Sequence, residues 1–408
     1  MGREWVRRPL AELGEIVTGT TPPSSEPDLF GQVYAFLTPS DMTYDARHVA
    51  TERFLSKEGG SRFESRMLPA GSVSVVCIGA TIGKVAMTQV ATLTNQQINS
   101  IVVDSENHHP DFTYYLLRQY APEIRQHAGG AATPILNKTA FSRIELPIPP
   151  LPVQREIAAV LAGYDELIEN NLRRIEVLEE MAQAVYREWF VNFRFPGHED
   201  VPLVDSPPGR IPEGWERRPL FDAAEVAFGF AFKSNRFAEA GPMKVVRIRD
   251  IPVGDSSTFT TEIVDARYAV GDGDVLIGMD GDFHMCVWAA GDAWLNQRVT
   301  RVRPKADLCV GYVYEALRQP ISEFNEAIVG TTVAHLGKRH LETISLVVPP
   351  DEIRTLLRST FDPITGLVRN LKKQVRNLRD TRDLLLPRLV SGSIDVSDLD
   401  IGTEWLAS

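Results

Sequence analysis

The chain repeats itself at a period of 200 residues, and a duplicated chain must fold twice from one plan. Leu117-Arg118-Gln119 recurs as Leu317-Arg318-Gln319. Gly130, Leu136, Lys138, Ile144, Leu146, Pro149 and Pro150 recur as Gly330, Leu336, Lys338, Ile344, Leu346, Pro349 and Pro350. The register continues without a gap through Leu167/Leu367, Ile168/Val368, Asn170/Asn370 and Leu178/Leu378. Upstream the offset drifts, as loop insertions make it: Asn95-Gln96 answers Asn296-Gln297, Gly71-Ser72-Val73 answers Gly273-Asp274-Val275, and Trp5 with Arg7-Arg8-Pro9-Leu10 answers Trp215 with Arg217-Arg218-Pro219-Leu220. Two copies are too few for a solenoid, so the pattern is a tandem duplication of one globular-plus-helical unit. At about 150 residues per domain, the length suffices for two to three cores.

Each unit opens with a mixed part. Short β-branched runs, Ser72–Ile78, Ile98–Val103, Asp274–Met279 and Val299–Val302, are bounded by Gly, Asp and Pro and read as strands. Asp111–His127 and Gly311–Ile328 carry apolar residues at helical spacing and read as one helix each. The Pro-rich stretch Phe195–Pro212 reads as a hinge into the second copy. The fold class is therefore α+β, in two tandem copies.

After each Pro-Pro pair the spacing changes to a sustained 4-3 heptad. One seam runs Ile157, Leu161, Tyr164, Ile168, Asn171, Ile175, Leu178, Ala182, Val185, Trp189; the other runs Leu357, Phe361, Ile364, Val368, Leu371, Val375, Leu378, Arg382, Leu385. Four heptads of this kind predict a coiled coil. Residues 157–189 hold three basic and seven acidic side chains, net −4, and residues 357–385 hold seven basic and three acidic, net +4. Opposite charge favours pairing of one helix with the other over self-pairing. Two copies that pack through the same element sit most simply about a pseudo-two-fold axis, which makes the helices antiparallel. Asn171 and Arg382 interrupt the seams, either to fix register or because both reach solvent. The boundaries follow: a first globular domain over 1–150, a spacer helix over 151–192, hinge and second domain over 193–350, a second spacer helix over 351–390, and a tail over 391–408.

Several chemistries have no signature. No apolar run approaches the ~20 residues of a membrane span. No apolar segment backs Met1-Gly2-Arg3-Glu4-Trp5, so no secretory signal is expected. Cys77, Cys286 and Cys309 are odd in number and lack metal-ligand spacing, which points to a reducing, cytoplasmic setting. There is no P-loop, and Gly79-Ala80-Thr81-Ile82-Gly83-Lys84 has the wrong spacing for one, so it reads as a turn with a surface lysine. His108-His109 reads as a solvated loop pair, and Asp272, Asp274, Asp280 and Asp282 as a solvated acidic turn without the closing Glu of a Ca²⁺ loop. Neither a nucleophile elbow nor a triad order is present. No catalytic residue, metal or cofactor is expected on this chain.

Three segments carry a family resemblance. PIPPLPVQREIAAVL at 147–161, followed by the heptad helix ending in REWF at 187–190, resembles the central region of the specificity subunits of type I restriction–modification systems. RDLLLPRLVSGSIDVSDL at 382–399 is similar to their C-terminal end, and the Trp5…Pro9-Leu10…Glu15-Ile16-Val17-Thr18-Gly19 opening with its echo at Trp215 resembles the start of each of their target recognition domains. The second helix entry, Pro349-Pro350-Asp351-Glu352-Ile353-Arg354, departs from the first by lacking its leucine and glutamine. The resemblance spans the chain and implies a non-catalytic subunit. Each recognition domain then reads half of a bipartite double-stranded DNA site. The helices set the unread gap and dock two DNA methyltransferase subunits, and motor-nuclease subunits complete the complex. S-adenosylmethionine, ATP and Mg²⁺ would sit on those partners. The competing class is a pseudo-symmetric adaptor that scaffolds proteins without touching DNA.

A DNA reader offers Arg or Lys to guanine and Asn or Gln to adenine from exposed loops or helix ends. Copy one supplies Lys84, Gln89, Gln96, Gln97, Asn137 and Lys138; copy two supplies Lys233, Asn235, Arg236, Arg247, Arg249, Arg298, Lys338 and Arg339. Duplicated positions are the least suited to specify sequence, since two halves should read different bases. Asn95/Asn296, Gln96/Gln297 and Lys138/Lys338 are thus expected to stabilise the fold or contact phosphate. Lys233-Ser234-Asn235-Arg236 and Arg247-Ile248-Arg249 are the strongest base-reading candidates. Gly129 and Gly130, ahead of Thr133, and Gly330, ahead of Thr331-Thr332, suit either a close backbone approach to phosphate or a plain turn. The net charge of −11 does not oppose this, because 251–300 contribute −6 (two basic, eight acidic) and 151–200 contribute −5 (five basic, ten acidic). The near-neutral first domain and the local basic loops imply weak binding by the chain alone, since phosphate contacts dominate affinity.

Overall fold

The structure, a computed structural model, describes residues 5–129, 133–328 and 335–396. It divides into two compact units: Met1–Ile168 with Leu378–Ser408, and Glu169–Asn377. Each long helix is therefore shared between the two units.

The two units are built alike. In unit one, Val6–Pro9 pairs antiparallel with Glu145–Ile148, closing the domain next to the entry of the first long helix. A four-stranded antiparallel sheet follows in the order Gly14–Thr18, Ile98–Val103, Val73–Val76, Val85–Met87, and a three-stranded sheet orders Arg53–Leu55, Phe30–Leu37, Thr92–Thr94. Unit two repeats the plan with Glu216–Pro219 on Ser345–Val348, then Ala224–Phe228, Val299–Pro304, Val275–Gly278, Met285–Val287. Its other sheet has grown to five strands around Met243–Val246 and Ala293–Leu295, which pair in parallel as Phe30–Leu37 and Thr92–Thr94 do. Val73–Val76 and Val275–Gly278 are buried on both faces, which explains their near-continuous apolar composition. The polar Ser74 is satisfied there by Ser100, hydroxyl to hydroxyl at 2.9 Å.

The long helices span Leu151–Tyr186 and Asp351–Val390. In unit one, Ile157 and Leu161 of the first pack in a single core with Leu386, Leu389 and Val390 of the second, and with Tyr115, Leu116 and Leu146 of the domain. In unit two, Asn171 Nδ2 donates to Gln374 Oε1 at 3.4 Å and Lys372 Nζ donates to Glu179 Oε1 at 2.8 Å. Rising numbers on one helix meet falling numbers on the other, so the halves run antiparallel within each unit. Both seams hold to their ends, where neighbouring residues join them. A π-turn at Arg187–Val191 adds one residue and buries Phe190, while Trp189 packs partly buried against the same core. At the other end Leu386 and Leu389 are buried and Leu385 packs partly buried against the same core.

Asn171 and Arg382 do not reach solvent; both are buried. Arg382, 1% exposed, donates from Nη1 to Asp165 Oδ1 at 2.5 Å and from Nε to Asp383 Oδ1 at 2.9 Å. Tyr115 Oη donates to the other Asp165 oxygen at 2.6 Å, and Arg118 Nη2 reaches Asp383 at 3.0 Å. Burial opposes the Arg382 charge, but its bonds to Asp383 and Asp165 outweigh that and hold its pKa above the ordinary value. The network ties the domain to both helices through a pair that neither partner can leave cheaply.

Other expectations need correction. Asp111–His127 is two helices, Pro110–Gln119 and Ala121–Gln126, because Pro122 lacks an amide to continue the ladder and starts a new turn instead. The Phe195–Pro212 stretch is not a free hinge. Leu203–Asp205 and Arg210–Pro212 form a hairpin. Phe195 and Ile211 are buried, with the Phe195 ring 4.8 Å from Trp215 and Phe190 4.7 Å from Tyr312. Apolar area outweighs the proline content. His108 is buried rather than solvated, its Nδ1 3.2 Å from Gln154 Nε2 at the start of the first long helix. Asp274 is likewise buried and accepts from Arg303 Nε and Nη2 at 2.7 and 2.8 Å, while Asp272 pairs with Lys373.

Arg382→Ala should destabilise unit one by about 3–5 kcal/mol, because Asp165 is left buried without its cation. Replacing both members by apolar residues (Arg382→Met with Asp165→Leu) should cost less than either single change. Urea unfolding of the three variants checks this ordering.

Candidate nucleic-acid interface

The same backbone frame appears once in each unit. In unit one the strand Val73–Val76 runs into a turn in which Cys77 N donates to Gln97 O at 2.7 Å and Leu136 N donates to Cys77 O at 2.8 Å. In unit two Met279 N donates to Arg298 O at 3.0 Å and Leu336 N donates to Met279 O at 2.7 Å. Glycines with positive φ, Gly79 at +93° and Gly281 at +69°, turn the chain beside these bonds. The frame brings together three segments far apart in sequence: the sheet turn, the residue at 97 or 298, and the approach to a short helix, Lys138–Ser142 or Lys338–Leu341.

Each frame carries a lysine at the first position of that short helix. Asn137 caps the first, its Oδ1 accepting from Ala140 N at 2.9 Å, and leaves Lys138 exposed. Lys338 is exposed beside Glu342 at 3.4 Å and lies over the Phe221 ring; Arg339 follows it, exposed. The neighbouring position differs between units. Gln97 is half-buried, whereas Arg298 is exposed and held by Asp280, Nε to Oδ2 at 3.2 Å, with His335 Nδ1 2.7 Å from the other Asp280 oxygen. Asp280 accepts from Arg298 Nη1 as well, Oδ1 at 3.4 Å, so the guanidinium is held by this carboxylate.

The duplicated asparagine serves the fold in unit one. Asn95 Oδ1 accepts from Gln97 N at 2.8 Å and its Nδ2 donates to Thr21 Oγ1 at 3.0 Å, so it fixes the backbone beneath Gln97. Gln96 and Gln297 are exposed. Lys84 is not a free surface cation: half-buried, its Nζ donates to Pro39 O at 3.3 Å and lies over the Tyr44 ring. Gly130 and Gly330 lie outside the described residues.

A second group forms in unit two. Phe259–Thr260 pairs with both Phe237–Ala238 and Met243–Val246, so the turn at Ser234–Arg236 and the turn at Ile248–Asp250 share one sheet. Lys233, Asn235 and Arg236 are exposed, Arg236 standing 3.8 Å from Glu262. Arg247 is half-buried with its guanidinium 5.5 Å from the Phe237 ring centre, and Arg249 is exposed near Thr258 at 3.4 Å. In unit one the matching sheet presents Arg53, stacked 4.5 Å from the Phe30 ring centre. Arg53 is not among the candidates selected from the sequence, because its stacking on Phe30 is a contact between residues far apart in the chain.

The arrangement holds cations and amides outward on a fixed frame. Among the described residues no group of three or more His, Cys, Asp or Glu could hold a metal. The three cysteines are free and buried, and burial pushes the thiols of Cys77 and Cys309 up to about 11.

Comparison with known proteins gives the family. Residues 2–180 and 212–377 match the type I restriction modification DNA specificity domain. The chain is 26% identical over 419 aligned residues to the type I restriction enzyme MjaIX specificity subunit of Methanocaldococcus jannaschii, covering 97% of this chain and 95% of that one. It is 30% identical over 200 residues to the EcoBI specificity subunit of Escherichia coli, covering 48% and 42%. The crystal structure of the type I restriction–modification S subunit from M. genitalium superposes with a TM-score of 0.60 at 15% identity, over 95% of this chain and 96% of that one, a likeness of fold.

The frame has a testable consequence. Lys138→Ala or Lys338→Ala should weaken DNA binding alike on all sequences and reduce the salt slope by about one. Gln97→Ala or Arg298→Ala should instead relax base preference within one half-site, by about 1–3 kcal/mol of discrimination. Salt-dependent binding of the assembled complex to matched and mismatched duplexes separates the two outcomes.

Proposed function

The chain belongs to the type I restriction modification DNA specificity family, and from that premise we propose how this specificity subunit selects its site. Each globular domain reads one half of a bipartite double-stranded DNA sequence. The observation that carries this is the repeated frame: the same lysine at 138 and 338 beside different side chains at 97 and 298. Identical lysines suit phosphates, which carry no sequence information, and unlike neighbours suit unlike bases. Gln97 fits adenine and Arg298 fits guanine. The basic group at Lys233, Asn235, Arg236, Arg247 and Arg249 extends the second half-site contact.

The long helices, paired as an antiparallel coiled coil, act as the ruler and as the dock for two DNA methyltransferase subunits, one per unit. Motor-nuclease subunits join the same complex. S-adenosylmethionine, ATP and Mg²⁺ belong to those partners, and this chain contributes recognition rather than catalysis. The reading puts it in the cytoplasm with its DNA; among the described residues no helix is long and apolar enough to cross a membrane. A scaffolding adaptor would leave the frame's unlike side chains without a role.

The first long helix has 36 residues, about 54 Å at a rise of ~1.5 Å per residue. Readers meeting one face of the duplex stand about one turn apart, ~10 bp between half-site centres. With half-sites of about three to five bases, the unread gap is on the order of 5–8 bp. Deleting 171–177 together with 371–377 keeps the heptad register and shortens the pair by roughly 10 Å. That equals about 3 bp and ~100° of duplex rotation, a deformation that DNA resists. Methylation of the original site should be lost, with surviving activity moved to a shorter gap between unchanged half-sites. Sequencing of methylated DNA from cells carrying the variant reads the result; full methylation of the original site would remove the ruler.

A further inference from the structure

Arg53 is an exposed cation that rests on a fixed platform and has no anion. Its guanidinium lies over two rings of unit one, 4.5 Å from the centre of Phe30 and 5.3 Å from that of Phe36. Strand Phe30–Leu37 brings both rings to one place by a break in register: Phe30 and Tyr34 both pair with Leu55 of the edge strand Arg53–Leu55. The two rings stand edge to face, 6.5 Å apart, and pack on a small core of Phe36, Leu55 and Leu93, all fully buried. Among the described residues Arg53 has no ion-pair or hydrogen-bond partner, whereas Arg47, Arg62 and Arg118 of the same unit meet Asp111, Glu26 and Asp383.

The register also places Arg53 close to the recognition frame. Arg53 is the cross-strand partner of Phe36, and Phe36 is that of Leu93, so Arg53 and Leu93 lie two strand spacings apart, about 10 Å. From Leu93 the chain runs through Asn95, whose amide donates to Leu37 O at 2.9 Å, into Gln97. About 10 Å is roughly three base pairs of duplex, which fits two readers into one half-site. The corresponding sheet of unit two has diverged in strand number, yet it too backs an arginine with a phenylalanine, Arg247 on Phe237 at 5.5 Å.

We propose that Arg53 is a specificity-determining residue of the first half-site and donates from two guanidinium nitrogens to the O6 and N7 of a guanine. This rests on the reading of the first domain as a DNA reader. The rings cover one face of the guanidinium and leave its in-plane N–H groups free, which is the fork that O6 and N7 accept. Stacking also restricts the side chain before DNA arrives, so less entropy is lost on binding. A phosphate contact needs only a charge and gains little from a planar group held in one orientation.

The test is competition binding by the assembled complex on its own methylated sequence, with each guanine of the site replaced in turn by 7-deazaguanine, which lacks N7 and still pairs with cytosine. At one guanine, in one half-site, the replacement should weaken wild-type binding and leave Arg53→Ala unaffected. At that position Arg53→Ala and Arg53→Lys should lose roughly 5- to 150-fold of the preference for guanine over the other bases. Arg53→Lys keeps a cation over the rings but not the fork, so it decides the matter if Arg53→Ala loosens the sheet. A loss of affinity equal at every position would make Arg53 a phosphate contact and overturn the proposal. Unchanged discrimination in both variants, or a site without a guanine in one half, would overturn it too. None of these results touches the reading of the domain itself, which fails only if exchange of residues 1–146 leaves both half-sites unchanged.

Discussion

Everything in this fold depends on a non-local closure: the start of one long helix packs against the end of the other inside a single domain core. In unit one, Ile157 and Leu161 meet Leu386 and Leu389, residues more than 200 positions away, over the same strands that bury Val73 and Val75. Each fully buried aliphatic side chain contributes about 1.5–3 kcal/mol of transfer free energy. The closure is therefore as much a part of the domain as its sheets. In unit two the same logic brings Ala182 and Phe190 together with Leu357 and Phe361.

Charge decides which helices close on each other. Residues 157–189 carry −4 and residues 357–385 carry +4, and the ion pairs Glu179–Lys372 and Asp165–Arg382 fall where the two helices meet. The duplication has since diverged at its most polar point. Unit one keeps a buried Tyr–Asp–Arg network, while unit two holds Glu315 beside a cavity and paired with Arg318. Divergence is also what makes the recognition frame informative, because Lys138 and Lys338 remain while Gln97 and Arg298 differ.

Much of this was legible in the sequence because it is periodic. The duplication, the buried strands and the two heptad helices each leave a regular trace, and regularity survives without coordinates. What stayed hidden depends on single contacts. His108 looks like a loop residue until Gln154, 46 positions later, covers it. The Phe195–Pro212 stretch looks like a linker until Trp215 offers Phe195 a surface. Lys84 reads as a surface cation, and only the fold shows Pro39 and Tyr44 beneath it. For the candidate site, residue type and the logic of duplicated against divergent positions selected Lys138, Lys338, Gln97 and Arg298 as candidates; the backbone frame that they share is a tertiary fact. Arg53 stacks on the Phe30 ring, 23 positions upstream, a contact that no local pattern in the sequence announces.

The central claim is that two separate cores each specify one half of a DNA site. Exchanging residues 1–146 for the corresponding domain of a relative, and sequencing methylated DNA from cells carrying the hybrid, tests it most directly. One half of the methylated sequence should change while the other half and the gap between them stay as they were. A change in both halves together would contradict the account.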